Sequence, residues 1–297
     1  MSALMCEMYN ITNSEIVASS LPSADYDLWI TGSYSLGARV THNNKNWEAM
    51  VDGATDEPGL TTEWLDLGLV NRLRAFDTQT ATASEDSAQI TYQFVIPDKM
   101  VNAIGFLRVE AQSIDITITD DVDGIVYEKT YAMVDVGSSD IFEYFFSDYQ
   151  FFERTVDINL PPYFGCTIDI TINPSLETGV ARVGLISLTY QHEIGGLEWG
   201  YQVGIEDFST VTRDPNFGIT EIIEKDYNDT LSLPVVVDTS RLYEIKQMLT
   251  KLRAKPALYI GSVDHLETVV FGKYDKLGMV AGNTRFSNYK LDLQETI

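Results

Sequence analysis

The sequence predicts a mainly β protein in three parts. These are a small three-stranded β module at 1–70, an antiparallel β-sandwich or jelly-roll body at 71–232, and a small α+β domain with one clear helix at 233–297. Three observations carry this. Apolar residues alternate with largely polar ones in three separate runs, giving one inward face and one outward face each. Aromatics make up 11% of the chain, with 16 Tyr, 13 Phe and 4 Trp, a composition that favours strands. One stretch, Ser240 to Lys255, instead places its apolar residues three and four apart.

The alternating runs are Ile90, Tyr92, Phe94 and Ile96; Ile114, Ile116 and Ile118; and Ile168, Ile170 and Ile172. Asp120-Asp121-Val122-Asp123-Gly124 parts the second run from Ile125–Tyr127 and reads as a hairpin loop. Pro161-Pro162 and Asn173-Pro174 punctuate further strands. Toward the C-terminus, Leu242, Ile245, Met248, Leu249 and Leu252 form the helix stripe. Thr239 or Ser240 can cap its start, Lys251, Arg253 and Lys255 suit its C-terminal dipole, and Pro256 stops it. Leu233–Val237 and Ala257–Ile260 read as flanking strands.

At 297 residues the chain is long for a single core, which favours two or three domains. Acids outnumber bases 44 to 20, for a formal charge of −24. Such a chain repels nucleic acid and anionic membranes, so neither is an expected partner. The charge is uneven: 10 acids and 2 bases over 1–70, but 7 acids and 9 bases over 235–297. That asymmetry permits head-to-tail packing of copies. No run of apolar residues is long enough to cross a bilayer as a helix, and Met1–Tyr9 does not read as a secretory signal. Cys6 and Cys166 are expected to be reduced thiols, and the sequons at Asn10 and Asn228 to be chance matches.

Within the first seventy residues the order is Trp29, Tyr34, Gly37, Val40, Trp47, Ala49, Pro58-Gly59, Trp64 and Leu67-Gly68. This order resembles the small chitin- and cellulose-binding modules (family 5/12-like) found beside bacterial glycosidases. Ala38 stands where those modules have Asp, and Trp47 where they have Tyr. The resemblance implies a compact three-stranded sheet, with Trp29, Trp47 and Trp64 as candidate sugar-stacking residues and Tyr34 a lesser one. The competing reading is that these rings are the module's own core, because so small a module has few other large side chains.

Asn71-Arg72-Leu73-Arg74-Ala75-Phe76-Asp77 looks like a stretch that follows such modules in virion proteins of tailed bacteriophages. Leu160-Pro161-Pro162-Tyr163, Gly179–Gly184, Glu198-Trp199-Gly200 through Ser209, and Lys255–Ile260 also resemble that phage family. The resemblance implies a structural protein of the tail, baseplate, neck or collar. Its partners would be other virion proteins, with a homo-oligomer inside a symmetric assembly. It would reside in the virion, assembled in the bacterial cytoplasm.

Motifs for chemistry are sparse. His42, His192 and His265 have no partners at metal-ligand spacing, and no nucleophile elbow or phosphate-binding loop is present. Asp121-Val122-Asp123-Gly124 lacks the Glu that closes an EF-hand loop and reads as a turn. The expectation is therefore a non-enzymatic protein without cofactor or metal. Phe142, Tyr144, Phe145, Phe146, Tyr149, Phe151 and Phe152 are too dense for alternation to bury within one domain, so they are expected at an interface. The alternative function is carbohydrate binding, with the tryptophans touching host glycans.

Overall fold

In a computed structural model the residues described are 2–97, 99–135, 150–213, 220–280 and 284–296. The chain is mainly β, with large antiparallel sheets, a small three-stranded sheet and one helix of more than one turn near the C-terminus. All three alternating runs are strands: Ile90–Val95, Ser113–Asp120 and Thr167–Asn173. They lie side by side in a five-stranded sheet, with Gly124–Ala132 and Ile16–Ser19 at its edges. The 120–124 segment is the expected hairpin, where the Asp120 carboxylate accepts from the amides of Val122 and Asp123.

The isoleucines of this sheet face Ile104, Phe106, Val109, Val183, Ile186 and Leu188 of a ten-stranded sheet, and together they form the sandwich core. Tyr127 and Tyr131 of the edge strand Gly124–Ala132 both donate to the Asp157 carboxylate, and Lys129 pairs with it at 3.3 Å. Asp157 sits in Arg154–Asp157, the edge strand of the larger sheet, so one buried carboxylate clasps the two sheet edges together.

The larger sheet curls on itself. Its central run is Ala181–Leu197, Ser2–Met8, Ala257–Ser262, His265–Val280, Phe286–Glu295 and Tyr227–Asp238. Gly196 and Leu197 then pair with Val236 and Val235, which returns Tyr227–Asp238 to Ala181–Leu197 and closes a barrel. Closure hides backbone groups that an open sheet would expose. The segment 233–297 therefore shares its sheet with residues 2–8 and with a strand of the 71–232 body. The 17-residue strand Ala181–Leu197 serves both the sandwich and the barrel.

The predicted helix is Leu242–Lys251, entered through a 3-10 turn at Thr239–Arg241. The cap is Asp238, whose carboxylate accepts from the Ser240 amide; it precedes the two residues expected to cap. Ile245, Leu249 and Leu252 join Met5, Leu233, Val235, Tyr259 and Leu291 in the barrel's apolar cluster. Tyr274 holds the helix by donating to the Leu249 carbonyl at 2.8 Å.

One junction depends on a glycine. Arg108 lies mid-strand at φ 50°, facing Gly184 of the neighbouring strand between the pairs Val183↔Val109 and Leu185↔Leu107. A Cβ on Gly184 would sit 2.5 Å from the Thr80 carbonyl oxygen and 2.9 Å from Arg108 Cβ. The Arg108 side chain reaches across to the barrel strands. There it bonds Asp226 at 2.7 Å and the Tyr227 carbonyl at 2.7 Å, and lies 3.4 Å from Glu295.

Candidate functional sites

The small module is a sheet of Arg39–His42, Lys45–Ala49 and Trp64–Leu69. Val40, Ala49, Ala54 and Trp64 are its buried core, flanked by Trp29, Tyr34, Ala38 and Trp47. Strand alternation alone would have paired Trp64 with the exposed Asp66. Instead Trp64 is 5% exposed, donates Nε1–H to the Asp56 carbonyl at 2.8 Å, and meets Tyr34 edge-on at 5.3 Å.

Trp29 and Trp47 are half-buried. Trp29 lies edge-on to His42 at 5.2 Å. Trp47 donates to the His42 carbonyl, and the Pro58-Gly59 turn covers part of its ring; a Cβ on Gly59 would sit 3.2 Å from Trp47 Cη2. Of the three rings expected to stack on sugar, Trp64 is thus buried in the module's core, and Trp29 and Trp47 pack half-buried at its flank.

Asp25 ties the module to the body. Its carboxylate accepts from Asn46 Nδ2 at 2.6 Å and from the Asn71 amide at 2.9 Å, and lies 3.8 Å from Arg74 Nη2. The Asn71–Arg74 turn of helix, unforeseen as helix, therefore has an anchoring role.

Of the aromatic cluster, Phe142, Tyr144, Phe145, Phe146 and Tyr149 lie outside the described residues. Phe151 is half-buried and Phe152 exposed. Both line a groove of about 340 Å³ with Val203, Ile205 and Leu266. Val203 and Ile205 belong to Gln202–Asp207, which ends the ten-stranded sheet, and no described strand pairs with its outer edge. Beyond it, Thr210–Arg213 and Thr220–Ile223 form a two-stranded arm. Phe208, on the link into this arm, and Val211, Ile222 and Ile223 on it are 40% to 68% exposed.

A second concavity was not singled out from sequence. It holds Leu197, Glu198, Trp199, Tyr201 and His265 around about 270 Å³. Trp199, quoted in the sequence only for its resemblance, is 80% exposed. The His265 ring stands edge-on to it at 6.3 Å. Tyr201 donates to Glu267 Oε1 at 3.0 Å, and His265 Nδ1 lies 3.3 Å from the same oxygen. The Tyr201 bond helps hold the Glu267 carboxyl below its ordinary range against the opposing effect of burial, and raises the Tyr201 phenol.

The other titratable side chains have structural surroundings. Cys6 is buried, and desolvation pushes its thiol up to about 12, which suppresses the nucleophilic thiolate. Burial likewise raises Cys166. His42 faces Glu57 at 2.9 Å, and His192 lies against Tyr190. Among the described residues, no group of three or more His, Cys, Asp or Glu side chains is placed to hold a metal. Nor is any described helix long and apolar enough to cross a membrane. Scanned against known protein families the chain matches no family model, and no curated protein matches it.

Proposed function

We propose that the chain is a structural protein of a tailed-phage particle, placed in the tail, baseplate, neck or collar. It joins components through protein–protein surfaces and is not an enzyme. Its partners are other virion proteins, in the first place further copies of itself in a symmetric ring, and it is assembled in the bacterial cytoplasm.

One observation supports this most. The edge strand Gln202–Asp207 and the arm beyond it present Val203, Ile205, Phe208, Val211, Ile222 and Ile223 to solvent. Proteins that work as monomers protect such edges with charge, proline or a covering loop, because a bare apolar strand recruits another chain. Phe151 and Phe152 extend the same apolar surface across the groove, in keeping with the interface role expected of the 142–152 aromatics.

The test is the assembly state of the full chain by mass photometry and sedimentation, beside Ile205→Lys and Ile222→Lys. A discrete oligomer that dissociates in both variants, with unchanged far-UV circular dichroism, supports the reading. A monomer at all concentrations that also fails to join purified particles refutes it.

A further inference from the structure

We propose that the cleft around Trp199 binds a single uncharged hexopyranose ring, such as the terminal residue of a neutral glycan. The occupant is identified by four features. Trp199 offers an open indole face, whereas Trp29, Trp47 and Trp64 are engaged in the packing of the small module. The C–H face of a pyranose is an apolar plate of matching size and packs on such a ring.

Hydrogen-bonding groups stand beside the indole and Leu197. Glu198 and His265 line the cleft, and Glu267 stands behind Tyr201 and His265. With Nδ1 directed at Glu267, His265 keeps Nε2 for a hydroxyl. The Glu198 carboxylate and an imidazole nitrogen are the kind of acceptors that a ring of hydroxyl donors requires.

The space also fits. About 270 Å³ falls just below the ~300 Å³ at which pockets for drug-sized ligands begin, leaving room for one ring and little more. Charge selects among sugars, because the Glu198 carboxylate at the cleft, Glu267 behind it and a chain charge of −24 repel uronic and sialic acids.

The cleft is built by distant parts of the sequence. Trp199 and Tyr201 lie on the link between Ala181–Leu197 and Gln202–Asp207. His265 and Glu267 start the strand that leaves the tight Val263-Asp264 turn. Both segments are anchored: the Glu198 amide bonds the Pro234 carbonyl at 2.9 Å, and Thr268 Oγ1 ties the turn to the Ser262 amide at 2.9 Å. The site is thus largely formed before a ligand arrives, which lowers the ordering cost of binding.

The experiment titrates the full chain with the methyl glycosides of glucose, galactose, mannose and N-acetylglucosamine, and with glucuronic acid. It is read by tryptophan fluorescence and saturation-transfer NMR. We expect saturable binding of at least one neutral glycoside in the millimolar range, and at least tenfold weaker binding of glucuronic acid. Trp199→Ala should abolish binding while the thermal midpoint stays put, because the ring is exposed. His265→Ala should weaken binding severalfold, and Trp47→Phe should leave it unchanged. No saturable response to any neutral glycoside overturns the proposal. So does binding that survives Trp199→Ala, or binding lost in Trp47→Phe while Trp199→Ala retains it. A preference for glucuronic acid overturns the assigned sugar class. Trp199 becoming protected only on mixing with another copy or particle protein would make it an interface residue and also overturn the assignment.

Discussion

Replacing Trp64 by Ala should unfold the small module and leave the rest of the chain folded. Burying a tryptophan and then deleting it costs about 3–5 kcal/mol. The lost Nε1 bond to the Asp56 carbonyl, 2.8 Å long, adds roughly 1 kcal/mol. The module spans about 45 residues, and domains hold about 0.05–0.15 kcal/mol per residue, so its own stability is about 2–7 kcal/mol. The loss therefore equals most or all of what holds it. The other core residues, Val40, Ala49 and Ala54, are too small to close over the cavity. The sandwich and barrel have separate apolar clusters and should persist. Limited proteolysis read by mass spectrometry would show cuts confined to about 25–70, and calorimetry would lose one low-temperature transition. A variant with a protected module and a midpoint within a few degrees of wild type would refute the packing argument.

Other expectations follow from the clasps between layers. Arg108→Ala should cost about 2–4 kcal/mol in denaturant unfolding, since it leaves Asp226 and the buried Glu295 without their cation. Arg108→Gly should be about 1 kcal/mol milder than Arg108→Ala, because φ 50° suits glycine. Gly184→Ala should destabilise by about 1–3 kcal/mol, as its Cβ meets a backbone carbonyl that cannot swing away. Bonds from Tyr127, Tyr131 and the Asn159 amide outweigh desolvation and hold the Asp157 carboxyl below its ordinary value. Its contribution is therefore complete above about pH 4 and is lost as pH falls through the lower folded value. Asp157→Asn should flatten that acid limb of a stability-versus-pH curve. On the alkaline side, burial and the bond to Asp157 push Tyr127 up to about 12, so stability should fall as pH climbs from about 10 toward that value.

The sheet facing the sandwich core was legible because one side of each strand meets apolar side chains and the other meets water. Ile114–Ile118 and Ile168–Ile172 write that asymmetry directly into the sequence. The strand Ser2–Met8 was not legible, for the converse reason. Ala3 and Met5 point into the barrel cluster while Leu4 and Cys6 pack against Leu107, Leu185 and Phe271, so both faces are apolar and no alternation survives. Ala103–Leu107, buried along its whole length, was hidden the same way. Barrel closure rests on Gly196 and Leu197 meeting Val236 and Val235, a pairing that no local pattern encodes. The Trp199 cleft was equally silent, because its second half arrives from residues 262–267. In the small module, parity argued that Trp64 faces solvent and size argued that it is buried; the demand for a core prevailed.

The insertion of Ser2–Met8 between Ala181–Leu197 and Ala257–Ser262 also sets a timetable for folding. Both partners of this strand lie far downstream in the chain, at 189–196 and 258–260. Its apolar faces must wait for about 250 further residues, which at about 5–20 residues per second is on the order of 10–50 s. The five-stranded sheet can organise meanwhile from hairpins close in sequence. The barrel is slowed by its long-range pairings. During that interval Ala3-Leu4-Met5-Cys6 is a sticky, unpaired segment, which makes the yield of folded chain sensitive to temperature and expression rate and to whatever shields that segment.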